Sequence, residues 1–308
     1  MAAIKIGHVV LTVTDLEESV RHYTQVIGLV LTRRDKTSAY LRAPGDQDSY
    51  CLSLQQSNSA GLETIGLKMS AIDDLAELEN AAAHAGATIR RVATGEQIGI
   101  GQAVEFGLPS GHTIRAYHEA EHIGWLEGMV NPDPVASDLT IGSMRAMRLD
   151  HIALGAPDTA DVHKFLTEVL DFQSSEILYG PDDKPLGAWM TCGGTLHDIA
   201  ITPGAPGAFH HAAFAATSQG SLIDGVDLLR HRQVPTVDYG LTRHGIGGVN
   251  TVYFHDPSGH RNELFADPYV AIGAPGKVPE VSWNMETFTR GAFYFENELD
   301  MAFMGETT

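Results

Sequence analysis

The chain has 308 residues, 43% of them hydrophobic, with 32 glycines and a formal net charge of −19. That size suggests two domains or one large one with a full apolar core, and the acidity argues against nucleic acid or anionic membrane surfaces as partners. No apolar run approaches the roughly 20 residues needed to span a bilayer, and the opening MAAIKIGHVVLTV lacks a signal-peptide layout, so a cytoplasmic protein with no membrane partner is expected.

In chain order, residues 6–13 read as a strand, and Thr14 followed by Glu17 reads as a capping box. The helix it opens carries Leu16, Val20, Tyr23 and Ile27 on one face and ends at Gly28. Short strands follow at 29–33, 39–43 and 50–54. The pattern then recurs: a strand at 64–69, a helix at 75–85, and a hairpin of 103–108 with 113–117 closed by Pro109-Ser110-Gly111. A stretch with two prolines and little periodicity, Asn131-Pro132-Asp133-Pro134 at its centre, reads as a linker. After it LDHIALG at 149–155 repeats the first strand and 158–170 the first helix. A strand at 210–216 and a helix near 222–230 lead to TVYFHDPSGHRNELF at 251–265, a hairpin around Asp256-Pro257-Ser258-Gly259.

This is an internal duplication. Pro109-Ser110-Gly111-His112 aligns with Pro257-Ser258-Gly259-His260, and His8 aligns with His151. In that register Glu263 falls opposite Arg115, and His211 opposite about residue Ile65. Alternation places Arg261, Glu263 and Phe265 on one strand face. A carboxylate on an apolar strand calls for Arg261, another cation or a metal as its partner. His210 and His211 are adjacent and expected to face opposite ways, so at most one is a ligand; apolar residues two positions on, Ala153 and Ala213, favour His151 and His211. Two imidazoles and one carboxylate make the facial triad associated with oxygen-activating ferrous iron. An arginine cannot bind a cation, so any metal site belongs to the second half. Cys51 and Cys192 lie far apart, form no CxxC pair and suggest neither disulfide nor zinc site.

YFHDPSGHRNELF at 253–265 resembles the signature of the extradiol ring-cleavage dioxygenases. LDHIAL (149–154), LHDIAI (196–201), FHHAAF (209–214) and TRHG (242–245) follow the order and spacing of the catechol 2,3-dioxygenase family, and the similarity includes Val130-Asn131-Pro132 and the terminal FYFENELDMAF. The resemblance implies an α+β fold of four βαβββ modules paired into two barrel-like domains, the vicinal oxygen chelate (glyoxalase-like) arrangement. Residues 1–130 would form a metal-free N-terminal domain, 131–146 a linker, 147–270 the catalytic domain and 271–308 a tail near the active site.

It further implies Fe(II), with Mn(II) able to take the same ligands, held by His151, His211 and Glu263. His197 would be the acid/base, His244 and Tyr253 hydrogen-bonding groups for the diol, and Trp189 and Phe303 walls of the ring pocket. The substrates would be O2 and catechol or alkylcatechols, cut beside the diol to 2-hydroxymuconic semialdehydes by a homotetramer. Taken singly, His197, His244, Tyr253 and the two aromatics have ordinary structural readings, as have His8, His255, His260 and a buried inert Cys192. Gly193-Gly194-Thr195 before His197, and Phe295 where the family commonly has histidine, depart from the pattern and leave the ring substituent open. The alternatives are the same chemistry on 2,3-dihydroxybiphenyl or a carboxylated catechol, a glyoxalase-type lyase or isomerase, and a protein that sequesters a small aromatic.

Overall fold

Alternating apolar runs build two sheets, each assembled from a unit that is used twice. The computed structural model describes residues 2–123, 142–269, 279–305 and 308. The first unit is β1 (Ala3–Val13), α1 (Leu16–His22), β2 (Val30–Arg34), β3 (Ser38–Arg42) and β4 (Leu52–Gln56); the second is β5 (Gly61–Met69), α2 (Asp74–His84), β6 (Ile89–Val92), β7 (Ala103–Gly107) and β8 (Thr113–Tyr117). The third is β9 (Arg148–Ala156), α3 (Thr159–Leu170), β10 (Gln173–Tyr179), β11 (Pro185–Thr191) and β12 (Ile199–Pro203). The fourth is β13 (Phe209–Ala215), α4 (Gln219–His231), β14 (Thr236–Arg243), β15 (Asn250–His255) and β16 (Arg261–Ala266). A tail adds β17 (Val281–Trp283), α5 (Met285–Gly291) and α6 (Met301–Gly305).

Within each unit the first strand pairs parallel with the fourth, and the first strands pair antiparallel between the first and second units and between the third and fourth. The result is an eight-stranded sheet, β2-β3-β4-β1-β5-β8-β7-β6, and a nine-stranded one, β14-β15-β16-β13-β9-β12-β11-β10-β17. Among the described residues no helix is long and apolar enough to cross a membrane.

The first helix starts one residue later than the sequence suggests. Asp15, not Thr14, is the N-cap, its carboxylate accepting from Glu18 N at 2.9 Å. Asp caps as well as Thr, and Thr14 is otherwise engaged: its N–H donates to Ser258 Oγ in the other half at 3.0 Å. The duplicated turns likewise reach across. His112 Nε2 donates to the carbonyl of Ala208 (3.1 Å) and His260 Nε2 to that of Thr12 (2.8 Å), which makes both histidines buried interface residues.

Most of the linker expected at 131–146 and residues 271–278 of the tail lie outside the described residues, as does Val130-Asn131-Pro132. From Met144 the chain runs between the halves, its N–H donating to Val26 O (2.7 Å) and that of Met147 to Ala215 O (2.8 Å). One apolar core spans both halves, with Phe106 and Phe165 ring centroids 6.1 Å apart across it. Alternation along β9 sends Ile152 and Leu154 into this core and leaves His151 and Ala153 on the opposite face.

Candidate metal centre and active-site cavity

The strand register explains how residues more than a hundred positions apart meet. On β13, Ala213 is opposite His151 of β9 on one side and Glu263 of β16 on the other. His211 precedes Ala213 by two and shares its face. Three side chains therefore converge over one methyl group, and their ligand atoms lie within 4.8 Å of one another. Glu263 Oε2 is 3.3 Å from His151 Nε2 and 3.2 Å from His211 Nε2, while Oε1 accepts from Thr251 Oγ1 at 2.5 Å. His211 Nε2 is buried and makes no properly directed hydrogen bond. The donor set, two imidazole nitrogens and a carboxylate, could hold one divalent ion.

Electrostatics follow from burial and proximity. Burial works against a charged His151, but the Asp150 and Glu263 carboxylates more than offset it and push its pKa up to about 9. Burial raises Glu263, yet the two histidines hold its carboxyl well below the usual range. His211 is drawn down to about 4, chiefly by burial. Asp150 Oδ1 accepts from His151 Nδ1 at 3.1 Å and aims the other nitrogen at Glu263.

One consequence is measurable without a metal. Because the folded-state pKa of His151 lies above its ordinary value, the stabilisation from its charge is complete below about pH 6.5 and is lost as pH rises toward 9. The urea midpoint of metal-free protein should fall across that window, and His151→Gln should flatten the fall. A native midpoint that stays level from pH 6.5 to 9 would contradict this electrostatic picture.

His210 does not face away from His211. Pairing with β9 slips between Phe209 and His211, so His210 is the extra residue of a bulge, where alternation breaks. The two rings lie 4.9 Å apart with Nδ1 atoms at 2.7 Å. Arg261, fully buried, donates from Nη1 to His210 Nε2 (2.8 Å) and to the Phe303 carbonyl (2.9 Å), and its guanidinium lies 4.3 Å from the Phe303 ring centroid. Strand alternation in the sequence puts Arg261 on this face, and nothing in the sequence marks Arg261 or His210 for that role.

The equivalent lattice in the first half holds His8 and Arg115 on either side of Gly66, with Thr64, rather than residue 65, in the place of His211. The segments between these strands differ in length between the halves, so counting forward from the His8 and His151 pair gives residue 68 and counting back from the Arg115 and Glu263 pair gives residue 63. Arg115 is bound to Glu105 (2.6 Å), and His8 packs against Gln97 at 2.8 Å.

His151, His211 and Glu263 border a cleft whose empty space, open to solvent, is about 840 Å³. His197 lies beside it, its ring centroid 4.0 Å from that of His151 and its buried Nδ1 without a partner. Burial, with His151 adding to it, holds the pKa of His197 well below the ordinary value, so the ring is neutral. His244 Nδ1 donates to the Ala292 carbonyl and Nε2 lies 3.0 Å from Tyr253 Oη. Burial lowers His244 and raises Tyr253 well above the usual phenol range. Trp189 and Phe303 form walls with Ile246, Val249, Phe288 and Phe293. Cys192 is half-buried, and burial beside Asp198 pushes its thiol up, away from reactive thiolate.

These three candidate ligands and the cavity beside them sit on a duplicated βαβββ frame. Residues 148–264 match the Glyoxalase/Bleomycin resistance protein/Dioxygenase superfamily, and residues 62–121 the Catechol 2,3-dioxygenase-like N-terminal domain. The chain is 31% identical over 303 residues to a metapyrocatechase of Pseudomonas sp. (strain CF600), covering 97% of this chain and 96% of that one. It is 27% identical to a manganese-dependent 2,3-dihydroxybiphenyl 1,2-dioxygenase of Geobacillus genomosp. 3, over 96% and 94% of the two chains. The solved 2,3-dioxygenase LapB from Pseudomonas sp. KL28 superposes with a TM-score of 0.86 at 33% identity, over 94% of this chain and 99% of that one. The chain belongs to the extradiol dioxygenases of the vicinal oxygen chelate superfamily. These relatives favour neither the non-oxidative nor the sequestering alternative.

Proposed function

We propose that this chain opens catechol or alkylcatechols beside the diol, adding both atoms of O2 to give 2-hydroxymuconic semialdehydes, with one Fe(II) held by His151, His211 and Glu263 of residues 147–270. The observation that carries the reading is the convergence of three buried ligand atoms within 4.8 Å at the wall of an apolar cavity, one nitrogen lacking any directed partner. Mn(II) accepts the same donors, and the manganese-dependent relative keeps it a candidate. Bound there, the ion would supply Lewis acidity toward the diol oxygens.

The protein's own groups do the rest. His197, neutral and with an open Nδ1, takes a proton from the diol side and returns one as the ring opens. With its Nδ1 donating to the Ala292 carbonyl, neutral His244 accepts the Tyr253 hydroxyl through Nε2 at 3.0 Å; the phenol can turn from it to donate where negative charge develops on substrate oxygen, and His244 donates there from Nε2 once it takes up a proton. Trp189 and Phe303 hold the ring plane and exclude water. The proposal extends to a cytoplasmic homotetramer, as the resemblance implies.

The cavity also supports a substrate preference. Arg148 is the one Lys or Arg lining it among the described residues, and it is spent on Asp150, with contacts of 2.5 and 2.8 Å. A substrate carboxylate would lose its hydration there without gaining a free cation. Oxygen-uptake kinetics should therefore give catechol and 3-methylcatechol a kcat/KM at least about 100-fold above that for 3,4-dihydroxyphenylacetate. Equal use of the carboxylated diol would overturn the preference, and a higher rate on 2,3-dihydroxybiphenyl would move the assignment to biaryl diols.

A further inference from the structure

We infer that Glu176 is a positioning residue that fixes His244 and helix α5 over the cavity; its effect on turnover rests on the reading above. Glu176 lies on β10, opposite Trp189, and is only 1% exposed. A buried carboxylate needs partners, and here they are three neutral donors from three segments. Oε1 accepts from Gly247 N (2.6 Å) and Tyr269 Oη (3.0 Å), and Oε2 from Trp283 Nε1 (2.6 Å).

Each donor belongs to a part of the cavity mouth. Gly247 is in the turn that follows His244, and its φ of 68° is a left-handed conformation that favours glycine. Tyr269 N–H donates back to Gly247 O at 3.0 Å, closing that turn against the carboxylate. Trp283, held by Glu176, packs so tightly on Gly291 that a Cβ there would lie 2.9 Å from its ring, and a Cβ on Gly245 would lie 3.1 Å from it. Gly245 N donates to Gly291 O at 2.7 Å, and His244 Nδ1 donates to Ala292 O. His244 thus sits between a turn and a helix end that are both tied to one carboxylate.

Glutamate is required because it accepts everywhere. An amide has one acceptor oxygen and one donor nitrogen, so Glu176→Gln is close in shape yet turns a donor toward Trp283 Nε1–H or toward the Gly247 N–H. Trp283→Phe removes a single donor and keeps most of the packing.

The test is hydrogen–deuterium exchange on metal-loaded protein, followed by oxygen uptake with catechol. Glu176→Gln should raise exchange in residues 244–248 and 285–292 by about tenfold or more and leave 151–156 and 211–215 unchanged, with Trp283→Phe giving a smaller effect in the same segments. It should lower kcat by about tenfold with KM changed less than about threefold, and add nothing further in a His244→Asn background. Unchanged exchange at 244–248, or kcat losses that multiply in the double variant, would overturn the role. Absence of uptake by the wild type would count against the dioxygenase chemistry, while the exchange result would still decide what Glu176 holds in place.

Discussion

Glu263→Gln should strip the metal and stop turnover while the protein stays folded. Glu263 is the only anion of the three converging residues, and its Oε2 faces both imidazole Nε2 atoms at 3.2 and 3.3 Å. An amide removes that charge and offers one acceptor oxygen in place of two. Loss of an outer partner of a metal ligand costs roughly 10–100-fold in affinity, so loss of the anionic ligand itself should cost at least about 1,000-fold. Thr251 Oγ1 can still donate to the amide oxygen, which limits the damage to the fold. Metal analysis after dialysis should fall from about one ion per chain to almost none. A variant that keeps its ion would show that the carboxylate is a structural partner of the two histidines rather than a ligand.

His197→Gln should do the opposite, keeping the ion and losing the chemistry. The His197 ring lies tilted against that of His151, yet its Nδ1 has no hydrogen-bond partner, so the change breaks no hydrogen bond at that atom. A general acid–base group contributes roughly 10²–10⁴-fold, and kcat should drop by about that factor with metal content unchanged. The loss should shrink with 4-nitrocatechol, whose more acidic diol asks less of a base. Turnover within about threefold of wild type on catechol would remove His197 from the proton path.

The strands that carry the candidate ligands were legible because each has a strong local signal. LDHIALG, FHHAAF and the PSGH turn combine apolar periodicity with turn chemistry, and the duplication doubles the signal. What escaped depends on long-range contacts. β6 is only four residues, IRRV, with two arginines, and β17 is three, VSW, paired in parallel with a strand more than a hundred positions earlier. The bulge at His210 is a property of pairing between β9 and β13, so strand alternation read from one segment put its side chain on the wrong face. Glu176 was invisible for the same reason. In QSSEILY it looks like any polar residue on a strand, and only the folded chain brings Gly247, Tyr269 and Trp283 to it.

The most direct measurement is oxygen consumption by protein loaded anaerobically with Fe(II) or Mn(II), then given catechol in air, with metal content measured on the same sample. The predicted result is one O2 consumed per catechol, a yellow ring-opened product, and no uptake by metal-free protein. A sample holding one ion per chain that consumes no oxygen with catechol, 3-methylcatechol or 2,3-dihydroxybiphenyl would contradict ring cleavage at the His151, His211 and Glu263 site.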